Sequence, residues 1–271
     1  MTSTLSNKKF ASRLGGLRLW LIQFFGNAVI MLAIAWWLNL GDAHWWQLLF
    51  AAVLAIVIVV SIAVLHGGTL NYLFDSRDEP GAPNGSTQAG FRPPFMRALK
   101  HALAFALWAF IFFHLWQRID GLSDYQYQAT GYLRSGFPEW LRKLVSENRM
   151  RDLYSLGIFI LRWVVLPGVL LPFALLCSDR GFRGFLSIRV WFRMLKQRRL
   201  WAAIALASVV GVVLPAALAG WRLNAKTTSA TGEGIFVAFR LLLAYLLALF
   251  TWLMLGSMLA RARRRADENL G

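Results

Sequence analysis

Residues 155–221 read SLGIFILRWVVLPGVLLPFALLCSDRGFRGFLSIRVWFRMLKQRRLWAAIALASVVGVVLPAALAGW. Two apolar runs, 155–177 and 200–221, flank a link that carries Arg180, Arg183, Arg189, Arg193, Lys196, Arg198 and Arg199. At 1.5 Å of rise per residue, each run can cross a hydrocarbon layer about 30 Å thick. The stretch reads as two membrane spans joined by a cationic connection.

The same alternation continues in both directions. Further apolar runs occupy 17–40, 45–66, 98–118 and 235–260. The sequence therefore predicts an all-α, polytopic membrane helix bundle with about six transmembrane helices and two interfacial amphipathic helices. It forms one integral membrane domain over 1–271. Composition agrees: 58% of the 271 residues are hydrophobic and 15% are charged, against about a quarter charged in a soluble domain. The basic N-terminal residues Lys8, Lys9, Arg13 and Arg18 precede a run long enough to span, so the first span is expected to stay uncleaved. Trp36, Trp37, Trp45 and Trp46 flank the tight link 41–44 and mark one membrane interface.

Charge gives direction. With the N-terminus in the cytoplasm, 19 of the 29 Lys/Arg fall in the N-terminal segment, 67–100, 178–199 and the C-terminal tail, and 8 fall in the outer connections. The positive-inside rule then places both termini in the cytoplasm of a cell inner (plasma) membrane. The net charge of +16 follows from that rule and from attraction to anionic lipid. Nucleic-acid binding is not expected, because no basic and aromatic domain lies outside the spans.

Three connections have character. Segment 67–97, rich in Pro, Gly and small polar residues, is expected to be a flexible cytoplasmic loop; its Asn84-Gly85-Ser86 sequon would lie on the wrong side for use. Residues 137–154 place Phe137, Trp140, Leu141, Leu144 and Val145 at helical spacing and predict an amphipathic helix on the outer leaflet. Residues 180–199 predict a second, basic one on the inner leaflet. There Arg189, Arg193 and Lys196 share a face, and together with Arg199 they are the expected lipid contacts.

Inside the spans the polar residues are few. Arg162 and Arg240 fall in the outer leaflet near Arg118 and His114. These four are candidates for an anion or headgroup pocket, because guanidinium groups suit phosphate and carboxylate; side chains that snorkel to the headgroups are the competing reading. Gln23 and Asn27 are expected to hydrogen-bond to a neighbouring helix. Pro167 and Pro172 are expected to break span four, and Pro215 falls in a similar context in span five. Cys177, the one cysteine, is expected to be a packing residue.

No catalytic motif is present, and no metal ligands stand at metal-binding spacing; His101 and His114 are thirteen residues apart. No cofactor is implied. No Asp or Glu lies inside a confident span, which counts against proton-coupled transport. The expected partners are the lipid bilayer, anionic phospholipid and a possible membrane protein. The leading expectation is a non-enzymatic integral membrane protein acting through lipid or protein-partner contacts. The alternatives are a transporter or permease subunit for an anionic solute and a membrane-embedded enzyme acting on lipid-linked substrates.

Overall fold

A computed structural model describes residues 17–41, 44–75, 92–221 and 230–268. The basic N-terminal residues before Leu17 and the Asn84 sequon lie outside these. The described chain is helical almost throughout and has no strand. Nine helices follow one another: α1 (Leu17–Leu38), α2 (Trp45–Asp75), α3 (Arg92–Lys100), α4 (Ala102–Ser135), α5 (Glu139–Leu144), α6 (Glu147–Gly184), α7 (Ile188–Leu195), α8 (Arg198–Gly220) and α9 (Ala230–Glu268). Six of them (α1, α2, α4, α6, α8 and α9) are long and apolar enough to cross a membrane. The chain is a multi-pass membrane helix bundle.

Because the spans alternate in direction, Leu19 of α1 packs against Leu73 of α2 and Ala260 of α9. The first and last helices therefore begin and end at the same end of the bundle. That end also holds α3, α7 and most of the basic residues, and is here called the basic end. The main core joins α2, α4, α6, α7, α8 and α9, with Leu70, Leu175, Leu176, Met194 and Leu259 fully enclosed. The α1–α2 hairpin has a smaller cluster of its own around Ile30, Ile58 and Leu65. At its tip Trp36, Trp37, Trp45 and Trp46 are all exposed, as an interfacial belt requires.

Several boundaries differ from those expected. Segment 67–97 is not one loop: α2 continues helically to Asp75, and α3 covers Arg92–Lys100. Burial explains this, since Thr69 and Asn71 are enclosed and Asn71 donates to the Ser178 carbonyl at 3.0 Å. The third span begins at Ala102 rather than 98, because His101 (φ −106°, ψ 13°) leaves helical geometry. Residues 137–154 split into α5 and the start of α6. Ser146 caps α6 by accepting the Arg149 N–H, and that cap ends the continuity a single amphipathic helix would need. Residues 180–199 split as well. Gly181, at φ +62°, ends the α-helical part of α6 in a conformation suited to glycine, a 3-10 turn completes α6 to Gly184, and α7 starts afresh at Ile188.

Pro167 and Pro172 do not break α6, which stays helical through both. A π turn at Leu161–Val165 widens the helix just before Pro167. A proline leaves the carbonyl four residues back without a donor. For Pro167 that carbonyl belongs to Trp163, and Ser208 of α8 donates its hydroxyl to it at 2.5 Å. The carbonyls of Val169 and Leu170, just before Pro172, accept the indole N–H of Trp191 and Trp108, each at 2.8 Å. The helix is thus held by groups from three neighbours. Pro215 repeats the arrangement, with a π turn at Val209–Val213. A third π turn, Ala63–Gly67 in α2, has no proline after it. Its Leu65 carbonyl accepts the amide of the fully buried Gln23 at 3.3 Å, tying α1 to α2, and Asn27 in turn donates to Gln23.

Candidate functional site

At the basic end, α7, α8 and α9 enclose a trough. α7 is strongly two-sided: Val190 and Met194 are buried, whereas Arg189 is exposed. The chain then turns through Lys196 and Gln197 into α8, whose first turn opens with Arg198 and Arg199. Gln197 occupies the N-cap position but does not cap. Its amide reaches across to the Ala262 carbonyl of α9 at 2.7 Å. The first turn of α8 therefore has no side-chain acceptor and no acidic residue. It carries two arginines at the positive end of the helix dipole, where cations are disfavoured. From α9, Arg261 and Arg265 stand four residues apart on one face, another like-charge arrangement.

The trough has two lobes. One, about 470 Å³, is lined by Arg193, Lys196, Gln197, Arg198, Arg199, Arg265 and Ala266. The other, about 380 Å³, descends between α8 and α9 along Leu200, Ala203, Leu206 and Met258, with Arg261 also in its wall. Gln197, Arg199 and Arg265 belong to both, so the lobes are continuous. Among the described residues no Asp or Glu lines either lobe. Of the four lipid contacts expected here, Arg193, Lys196 and Arg199 meet in the trough. Arg189 does not: it lies one turn before Arg193, exposed at the start of α7 and outside the lining of either lobe. Arg198, Arg261 and Arg265 also line it, and helical spacing within 180–199 could not have found the two from α9.

Beside the trough lies an ion-pair node joining four helices. Asp179 near the end of α6 accepts from Arg263 of α9 at 2.5 Å and from Arg97 of α3 at 2.8 Å. Arg97 also pairs with Asp75, the last residue of α2, at 3.1 Å. Burial disfavours the Arg97 charge, but Asp75 and Asp179 together outweigh it and raise its pKa above the ordinary value. Arg263 is only 2% exposed and stacks over Phe74 at 4.0 Å. Next to the node, His101 is held below the usual histidine range, first by burial and then by the Lys100 and Arg97 charges, against the opposite pull of Asp179.

The residues expected to form an anion pocket at the opposite end have separate contacts. Arg162 pairs with Asp120 of α4 and lies over the Trp116 ring at 3.5 Å. Arg240 donates to the Leu218 and Ala219 carbonyls at 3.4 and 3.3 Å, where it complements the negative end of α8. Arg118 lies one turn from His114 and donates to it at 3.5 Å.

A smaller cavity of about 220 Å³ sits between α4, α6, α8 and α9, bordered by Trp163, Pro167, Gly211 and Trp252. The hydroxyl of Thr251 has no hydrogen-bond partner there, but the residue is wedged against Gly211, where even a Cβ would come within 2.7 Å of its methyl. Among the described residues no group of three or more His, Cys, Asp or Glu could hold a metal ion.

Comparison with known proteins finds no matching family model, no matching curated protein and no matching solved structure.

Proposed function

We propose that this chain is a non-enzymatic, multi-pass protein of the inner (plasma) membrane that binds anionic phospholipid in the trough between α7, α8 and α9. Both termini and the trough face the cytoplasm in this reading, in keeping with the excess of Lys/Arg at that end. The observation that carries it is a convergence of positive charge from three helices. Two arginines at an uncapped helix N-terminus and a like-charged pair on α9 line one trough without a carboxylate. Like charges so placed favour an anion between them, and phosphate is the anion that guanidinium groups and a helix N-terminus suit. The aliphatic wall of the deeper lobe gives the attached chain a place to lie. At the other end Arg162 pairs with Asp120, Arg240 reaches carbonyls at the end of α8 and Arg118 contacts His114, while the Nε atoms of Arg162 and Arg240 have no hydrogen-bond partner.

Native mass spectrometry from lipid nanodiscs tests the reading. Wild-type protein retains bound anionic phospholipid, and Arg199→Gln with Arg265→Gln loses it. Arg189→Gln, outside the trough, retains it as wild type does. Equal retention by all three proteins rejects the trough as the lipid site.

A further inference from the structure

Building on the phospholipid reading, we propose that the trough is made for a lipid with one hydrophobic anchor whose headgroup carries a second phosphate. The two lobes differ in kind. The deeper lobe has an aliphatic wall (Leu200, Ala203, Leu206, Met258), and Arg261 and Arg265 border it. The shallower lobe is larger, about 470 Å³ against 380 Å³, and among the described residues its only apolar lining residue is Ala266. Lys196 and Arg198 belong to that lobe alone, and Arg199 and Arg265 reach into both.

One phosphodiester carries one negative charge. Placed where its chain can follow the aliphatic wall, it sits between Arg199 and Arg265 and leaves Lys196, Arg198 and the uncapped first turn of α8 without an anion. A second, separate lipid is disfavoured, because among the described residues the shallower lobe has no aliphatic side chain larger than Ala266 for acyl chains to lie along. A phosphate borne on the headgroup of the first lipid supplies that anion. It needs no second anchor, and it meets the ammonium group, the guanidinium fork and the backbone N–H groups of a helix start. Two lipid classes share this chemistry: a diphosphate attached directly to a chain, as in polyprenyl diphosphates, and a phosphorylated headgroup on a diacylglycerol phosphate. Cardiolipin, whose two phosphates each carry their own pair of chains, is disfavoured.

The test compares full-length protein in phosphatidylcholine nanodiscs doped with phosphatidylglycerol, cardiolipin, phosphatidylinositol 4-phosphate or a polyprenyl diphosphate at matched phosphate content. Retention is read by native mass spectrometry. The expected result is that one or both single-anchor, two-phosphate lipids are held about tenfold more tightly than phosphatidylglycerol, as one added set of charge-assisted contacts allows; which of the two it is identifies the source. Lys196→Gln with Arg198→Gln removes that preference, so that on this variant the two-phosphate lipids are held no more tightly than phosphatidylglycerol. Equal retention of phosphatidylglycerol and the two-phosphate lipids, or cardiolipin held best, overturns this inference while the phospholipid reading stands. Retention of no anionic lipid overturns both.

Discussion

Two arginines in this bundle each pair with an aspartate and stack over an aromatic ring, one at each end. Arg263 meets Asp179 over Phe74, and Arg162 meets Asp120 over Trp116. The chemistry is the same and the setting is not. Arg263 is 2% exposed and its aspartate 14%, within a node shared by α2, α3, α6 and α9. The Arg162 pair is 19% and 49% exposed and links only α4 to α6. An ion pair acts structurally through what its removal leaves behind. At the basic end the loss of Asp179 leaves the buried Arg263 with only the longer contact to Asp267 at 3.7 Å; at the other end the remaining charge turns toward headgroups and water.

The largest effect expected from breaking this comparison is at Asp179. Asp179→Asn leaves Arg263 and Arg97 without their shared carboxylate and should cost about 3–5 kcal/mol, seen as the steepest fall in melting temperature and in monodisperse yield from detergent. Asp179→Leu combined with Arg263→Met removes both charges and should recover most of that loss. A double variant no better than the single would mean that shape, not charge, holds the node. Asp120→Asn should cost less than about 1 kcal/mol, since its carboxylate is half exposed and screened; a loss equal to that of Asp179→Asn would erase the distinction between the two ends.

The smallest effect concerns pH. His101 titrates below its usual range when folded, so the unfolded chain takes up the proton first as pH falls. Its contribution is therefore intact at pH 7.5 and is lost progressively below about 6.5, the unperturbed histidine value. Melting curves between pH 7.5 and 5.5 should show this downward slope in the wild type and a flatter one in His101→Gln. Identical slopes would exclude His101 as its source.

The legibility of each part follows from the range of the forces that form it. Hydropathy sums over a window, so all six spans could be read from the chain. The extension of α4 to Ser135 could not: its last turns contain Thr130 and Gly131, which are poor helix formers. It is held from outside, by Gln126 on the Arg151 carbonyl at 2.9 Å and Tyr154 on the Leu122 carbonyl at 2.8 Å. The trough shows the same division. Arg193, Lys196 and Arg199 are near one another in sequence and could be grouped by spacing. Arg261 and Arg265 reach them only because α9 returns beside α8, and in the sequence they register as part of a charge bias. The Asp179 node draws on four distant segments, and nothing local pointed to it.

The three π turns carry a consequence for genetics. A π turn holds one residue more than the α-helical turn it replaces. Deleting a single codon from an ordinary helical turn rotates everything beyond it by about 100°. In α2 that would carry Asn71 and Asp75 away from Ser178 and Arg97. Deleting one codon within 63–67 instead returns the turn to α geometry and leaves the downstream face in place. The turns at 161–165 and 209–213 look alike but stand directly before Pro167 and Pro215. Closing either would press the proline ring onto the carbonyl behind it. Of three similar bulges, one is a position where the reading frame can shorten by a codon and keep the downstream face in register, and two are positions that the following proline keeps at full length.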